Sequence, residues 1–136
     1  MGLDVGMRRI GVALSDAMGW TAQPLETVEV KPDGSHLRRI RAICEGQQVE
    51  SIVAGVPLEL SGRAGVMARR VRAMIKALEE VTGLEIVEMD ERLTTRQAER
   101  ALDEAGVGER GRRKAVVDQI AASLILQCHL DARGRR

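Results

Sequence analysis

Three acidic positions in this 136-residue chain could do chemistry together: Asp4, the pair Asp90-Glu91, and Asp118. Asp4 lies in a short apolar piece, Gly2 to Val5, and Asp90-Glu91 follows another, Glu85 to Met89. If those pieces are strands lying parallel, their carboxyl ends share one sheet edge, where α/β proteins bind ligands. Asp118 stands among Ala115, Val116, Val117, Ile120, Ala121, Ala122, Leu124, Ile125 and Leu126, apolar residues covering nearly every face of a helix. Such a helix is expected to be largely buried, and a carboxylate on it must be paired, hydrogen-bonded or metal-bound. Ala121 and Ala122 are small enough to let that helix lie close to a strand.

Each acid also has a plainer reading. Asp4 could shape a turn before Gly6, Asp90-Glu91 could favour the N-terminus of a following helix through its dipole, and Asp118 could form a salt bridge with an arginine such as Arg9. If all three converge, the absence of a His or Cys cluster beside them points to a hard, oxygen-preferring ion, Mg²⁺ or Mn²⁺ rather than Zn²⁺. Such ions handle phosphate. Two of them about 3.5–4 Å apart can activate water and stabilise the leaving oxygen in phosphodiester hydrolysis. His36 and His129 have no base–acid companion in the sequence and are assigned no catalytic role.

The elements that must position these acids follow from hydrophobic periodicity. Gly2 to Val5, Arg9 to Ser15 and Glu26 to Val30 read as three strands with short connections, which favours an antiparallel meander. Met18-Gly19-Trp20 and Lys31-Pro32-Asp33-Gly34 are turn signals. Leu37, Ile40, Ala42 and Ile43 suggest an amphipathic helix, Ser51 to Gly55 a buried strand, and Val66 to Thr82 a second helix that Gly83 stops. Glu85 to Met89 is a fifth strand. Thr94 with Gln97 gives a capping-box signal for a helix running to about Glu104, and Lys114 to about Arg133 is the last helix. Helical crossovers require parallel pairing of the later strands. The expectation is an α/β fold in one domain, residues 1–136: a mixed five-stranded sheet, three antiparallel strands then two parallel, with helices on both faces.

Composition narrows the function. Hydrophobic residues make up 44% and charged residues 30%, and no apolar run approaches the roughly 20 residues that span a bilayer. Met1-Gly2-Leu3-Asp4 has no signal-peptide pattern, and Cys44 and Cys128 form no CxxC, so both read as buried, reduced thiols of a cytoplasmic protein. A net charge of +1 says nothing about nucleic acid. The basic residues do cluster, at Arg8-Arg9, Arg38-Arg39-Arg41, Arg69-Arg70-Arg72, Arg110 to Lys114 and the Arg133 to Arg136 tail, and nearly all are arginines, suited to bidentate phosphate contact. Solvated helix faces are the plainer account of these runs. With Trp20 as the sole aromatic residue, recognition by stacking bases on an aromatic platform is disfavoured.

Gly2-Leu3-Asp4-Val5-Gly6 followed by Arg9-Ile10-Gly11-Val12-Ala13-Leu14-Ser15-Asp16 resembles the opening block of the YqgF/RuvX family, RNase H-like proteins described as Holliday-junction resolvases and pre-16S rRNA processing nucleases. Further blocks are similar and in family order: Thr21-Ala22-Gln23-Pro24-Leu25, Gly55-Val56-Pro57-Leu58, Asp90-Glu91-Arg92-Leu93-Thr94-Thr95, and Val117-Asp118-Gln119-Ile120-Ala121-Ala122 with Leu124-Ile125-Leu126-Gln127. The resemblance implies an RNase H-like fold and Mg²⁺- or Mn²⁺-dependent endonuclease chemistry on rRNA precursor or branched DNA. It implies Asp4, Glu91 and Asp118 as catalytic, metal-binding acids, with Asp90 the alternate for the middle one, and Arg9, Arg92 and Lys114 as nucleic-acid contacts. A resolvase cutting two strands symmetrically would want a two-fold homodimer. A non-cleaving RNA-binding or ribosome-assembly module is the competing expectation. Two features depart from the family pattern: the first strand begins at Met1, and the loop Glu59 to Gly65 lacks the usual Asn-Met-Asp-Gly.

Overall fold

Five strands form one sheet: β1 (Gly2–Val5), β2 (Arg9–Ser15), β3 (Ala22–Glu29), β4 (Ile52–Val56) and β5 (Ile86–Asp90). Among the described residues, helices α1 (Ser35–Gly46), α2 (Gly62–Thr82) and α3 (Arg110–Gly134) flank it. The structure is a computed structural model and describes residues 1–56, 62–90, 100, 103–104 and 110–134, with the side chains of 62–64 and 110–113 outside that description. The helix expected from Thr94 to Glu104 falls largely outside the described residues.

The strand order is β3-β2-β1-β4-β5. β1 pairs antiparallel with β2 and β2 with β3, while β1–β4 and β4–β5 are parallel. This is the expected mixed sheet. The short links between the first three strands allow only hairpin returns, and the helical crossovers into β4 and β5 bring the chain back to the same end.

The pleat sorts each strand between two unequal layers. Leu3, Val5, Ile10, Val12, Ile52, Ala54, Val56 and Ile86 point to one side, where they pack with Ile40 and Ile43 of α1 and Val71, Ile75 and Leu78 of α2. The other side is lined by smaller residues, including Gly2, Gly11 and Ala13, and it receives α3 through Ala122, Ile125 and Leu126, with Val53 and Met89 joining from β4 and β5. α3 runs across β1, β2, β3 and β4.

Several boundaries and burials differ from the sequence reading. β3 starts at Ala22 rather than Glu26 and takes in Pro24; an edge strand tolerates proline because its outer N–H groups need no partner. α3 begins at Arg110 rather than Lys114. Its buried residues lie on the sheet side only, and residues 128 and 131–134 are exposed, so a helix dense in apolar residues is half-covered rather than enclosed. Cys128 is accordingly exposed, not buried, whereas Cys44 is buried, and both are free thiols.

Candidate active site

The site begins with two glycines. A Cβ built on Gly11 would lie 1.9 Å from the Asp118 carbonyl oxygen and 2.9 Å from the Asp118 Cβ. A Cβ on Gly2 would lie 2.6 Å from the Ala122 carbonyl oxygen and 2.7 Å from the Leu126 Cβ. Only hydrogen fits at either position, so α3 rests its backbone directly on β1 and β2. Asp118 is thereby seated on Gly11.

Gly11 is the register partner of Asp4. Residues paired across antiparallel strands project to the same face, with Cα atoms roughly 5 Å apart. Gly11 faces α3, so Asp4 does too. The acid of β1 and the acid of α3 therefore stand side by side, one strand apart, at the carboxyl end of β1. The turn reading of Asp4 does not apply: it is paired within β1 to Gly11 and Gly55, and the turn that follows closes through the Gly6 N–H donating to the Arg9 carbonyl at 2.9 Å.

Asp90 goes elsewhere. It pairs with Val56, whose side chain belongs to the core under α1 and α2. Glu88, on the same side of β5, is ion-paired with Arg72 of α2, whereas Met89 joins the α3 layer. Strand alternation thus sets Asp90 on the face opposite Asp4 and Asp118. Glu91 and Arg92 lie outside the described residues. Among the described residues no group of three His, Cys, Asp or Glu side chains gathers to hold a metal; Asp4 and Asp118 are the two acids brought together.

Arg9, the first residue of β2, lies on the same face. Its Nε donates to Oδ2 of Asp118 at 2.8 Å, the arginine side chain 33% exposed and the aspartate 18%. The salt bridge weighed as the plainer account of Asp118 is present in the structure. It occupies one carboxylate oxygen. Lys114, exposed, sits one turn before Asp118 on α3, close enough along the helix for the two side chains to share a face.

α3 is also pinned by polar contacts that sequence reading missed. Thr27 of β3 donates its hydroxyl to the Ala115 carbonyl at 2.6 Å and accepts from Gln119 at 3.1 Å. Gln127 accepts from the Ala22 N–H at 3.0 Å and donates to the Trp20 carbonyl at 2.9 Å. The turn carrying Trp20 is itself held by Asp16, whose carboxylate accepts the Trp20 and Thr21 N–H groups at 2.7 and 3.3 Å. Those N–H bonds, Trp20's first, hold the Asp16 pKa below its ordinary value. His36 is buried and accepts the Lys31 N–H, a structural role. Of the basic clusters, Arg39, Arg41 and Arg72 are committed to Glu26, Glu45 and Glu88, as solvated faces would be.

The family model described as "RuvX: Holliday junction resolvase" matches residues 1–132. The chain belongs to the RuvX family. It is 44% identical over 137 aligned residues, covering 99% of this chain and 93% of the relative, to a protein of Ligilactobacillus salivarius named "Putative pre-16S rRNA nuclease". Relatives of the same name from Pelotomaculum thermopropionicum (99% of this chain, 88% of the relative) and Moorella thermoacetica (99% and 96%) are 46% and 44% identical. Among solved structures, Thermus thermophilus RuvC in complex with a Holliday junction substrate superposes with a TM-score of 0.57 over 98% of this chain and 93% of that one, at 18% identity. That likeness places the RuvX chain in the RNase H-like fold.

Proposed function

We propose that this RuvX-family protein is a Mg²⁺- or Mn²⁺-dependent nuclease that hydrolyses phosphodiester bonds in structured nucleic acid, with precursor 16S rRNA as its first candidate substrate and four-way DNA junctions as its second. The observation that carries the reading is the seating of Asp118 on Gly11, which sets two carboxylates side by side at the carboxyl end of β1. A donor set of oxygens without thiol or imidazole suits a hard divalent cation. Asp4 and Asp118 would hold it, joined by Glu91, preferred over Asp90 because Asp90 belongs to the opposite face. The bound ion would supply Lewis-acid polarisation of a phosphate and an activated water. Arg9 and Lys114 border the same acids and would meet backbone phosphates, with Arg92 the third candidate.

The rRNA assignment draws on relatives at 44–46% identity across the chain, whereas the junction-bound neighbour is alike at the level of fold. Among the described residues no helix is long and apolar enough to cross a membrane, in keeping with a cytoplasmic protein. Junction cutting would further call for a two-fold homodimer.

The test is cleavage of precursor 16S rRNA and of four-way junctions by purified protein in Mg²⁺ or Mn²⁺, beside Asp4→Asn and Asp118→Asn. Both variants are expected to remain folded by circular dichroism and to lose at least a hundredfold in cleavage rate; undiminished cleavage by either rejects the assignment. The Arg9–Asp118 pair favours one second reading, a module that binds nucleic acid without cutting it. Its mark would be salt-sensitive binding by the wild type with no metal-dependent turnover.

A further inference from the structure

Arg9 contacts Asp118 in an unusual way for a purely structural pair. It uses Nε alone, on one oxygen, rather than the two-pronged fork that makes arginine–carboxylate pairs strong. Among the described residues its terminal amino groups make no hydrogen bond, and it is the more exposed of the two partners. A guanidinium so placed has donors to spare on its solvent side, in the geometry that phosphate takes.

Charge adds a second argument. Asp118 carries a negative charge that Arg9 offsets across the 2.8 Å contact. A divalent cation approaching Asp118 therefore meets a neighbouring positive charge and a carboxylate already shared. Partly screened charges at this range alter affinity by about tenfold rather than by several orders of magnitude, which suits adjustment of a cation site rather than its abolition.

We propose that Arg9 guards Asp118: it holds the carboxylate while no nucleic acid is bound, and a backbone phosphate of the nucleic acid draws it off, opening Asp118 to the divalent cation. The inference rests on the metal-site reading above. It makes cation and nucleic acid mutually reinforcing ligands, because whatever removes Arg9 from Asp118 favours the ion, and reciprocity requires the converse. It also recasts Arg9 from a simple phosphate contact to a positioning residue with two alternating partners.

Two measurements on the full chain test it. The first is Mn²⁺ affinity by electron paramagnetic resonance without nucleic acid. Arg9→Gln is expected to bind Mn²⁺ roughly tenfold more tightly than wild type, and Arg9→Lys, which keeps the charge, to remain within about threefold of it. If glutamine destabilises the fold, Arg9→Met retains the packed aliphatic stem and carries the same expectation. Affinity in the neutral variants no higher than in wild type overturns the proposal. The second is the salt dependence of four-way-junction binding in chelator. Loss of one phosphate contact should flatten the slope of log affinity against log salt by about 0.9 in Arg9→Gln, and an unchanged slope overturns the phosphate exchange. Asp118→Asn separates the levels: it should weaken Mn²⁺ binding by at least tenfold. Full Mn²⁺ affinity in that variant removes the metal-site reading and the guard with it, whereas lost affinity there beside an unresponsive Arg9→Gln removes the guard alone.

Discussion

At the scale of the residue, the site depends on a hydrogen atom. Asp118 comes to lie over the strand position beside Asp4 because nothing larger than hydrogen stands on Gly11, and the atom a methyl would strike is a helix carbonyl, not the yielding end of a side chain. Gly11→Ala must therefore move α3 off the sheet. The expected cost is about 3 kcal/mol, at the upper end for overpacking and a large share of the roughly 5–15 kcal/mol that holds a domain together. It should appear as a lowered urea midpoint. Gly46→Ala, where a Cβ meets open space, should leave the midpoint nearly unchanged and serves as the control. An effect of similar size at both positions would sink the account. In the sequence, Asp4 and Asp118 were legible as acids, and Ala121-Ala122 as small residues under a close helix. The glycine that completes the seat was not, because strand register decides which residue of β2 lies beneath α3, and register is a long-range property.

At the scale of the element, α3 shows what a pattern of residues conveys and what it leaves out. Its apolar density suggested enclosure, yet hydrophobicity says how much surface seeks cover and not how much cover the rest of the chain supplies. β1 and β2 are legible at their observed limits, with Gly6 breaking the first apolar run; β3 is legible only from Glu26, where alternation becomes clear, and its place at the sheet edge is what lets it take in Pro24. The polar pins of α3 were invisible for another reason: Gln119 and Gln127 are ordinary surface residues until β3 arrives beside them. Gln127 joins Ala22 and Trp20 to the helix more than a hundred residues away. Gln127→Ala is expected to cost about 1–2 kcal/mol, the value of its hydrogen bonds to Ala22 and Trp20, with a third, to Asp131, lying exposed within the helix. Its local signature is faster hydrogen exchange at the Ala22 amide, with the β1 amides retaining their protection apart from the small global loss. Equal acceleration across β1 and β3 would show that Gln127 supports the whole sheet instead of pinning one edge.

At the scale of the molecule, each end of the sheet gathers its own set of charged groups. The carboxyl end of β1 carries the paired acids and Arg9. The opposite end, where Met1 and Ser51 precede β1 and β4, forms a groove that His129 and Arg133 of α3 line with Asp16 and Glu50. Parallel strands made the first end foreseeable from order alone, since acids at the ends of β1 and β5 had to share an edge; which face Asp90 takes needed the pleat, counted from a known register. The groove had no such signal, because it is assembled from turn and helix ends. Within it, His129 has a pKa below its usual value, through burial first, then the positive charges of Arg133 and the Met1 ammonium. Folding thus favours the neutral imidazole. The unfolded chain binds the proton more readily, so the contribution of His129 to stability is complete above the ordinary histidine value of about 6.5 and is lost as pH falls through the lower folded value. The carboxylates of Asp16 and Asp33, also held low by N–H donors, lose their contributions only in stronger acid, below about 4. Thermal unfolding followed from pH 7.5 to 5 should show a decline in melting temperature that His129→Gln reduces, while the steeper loss below pH 4 persists in the variant. The decline expected of wild type would have to survive intact in His129→Gln for its origin to lie elsewhere in the molecule.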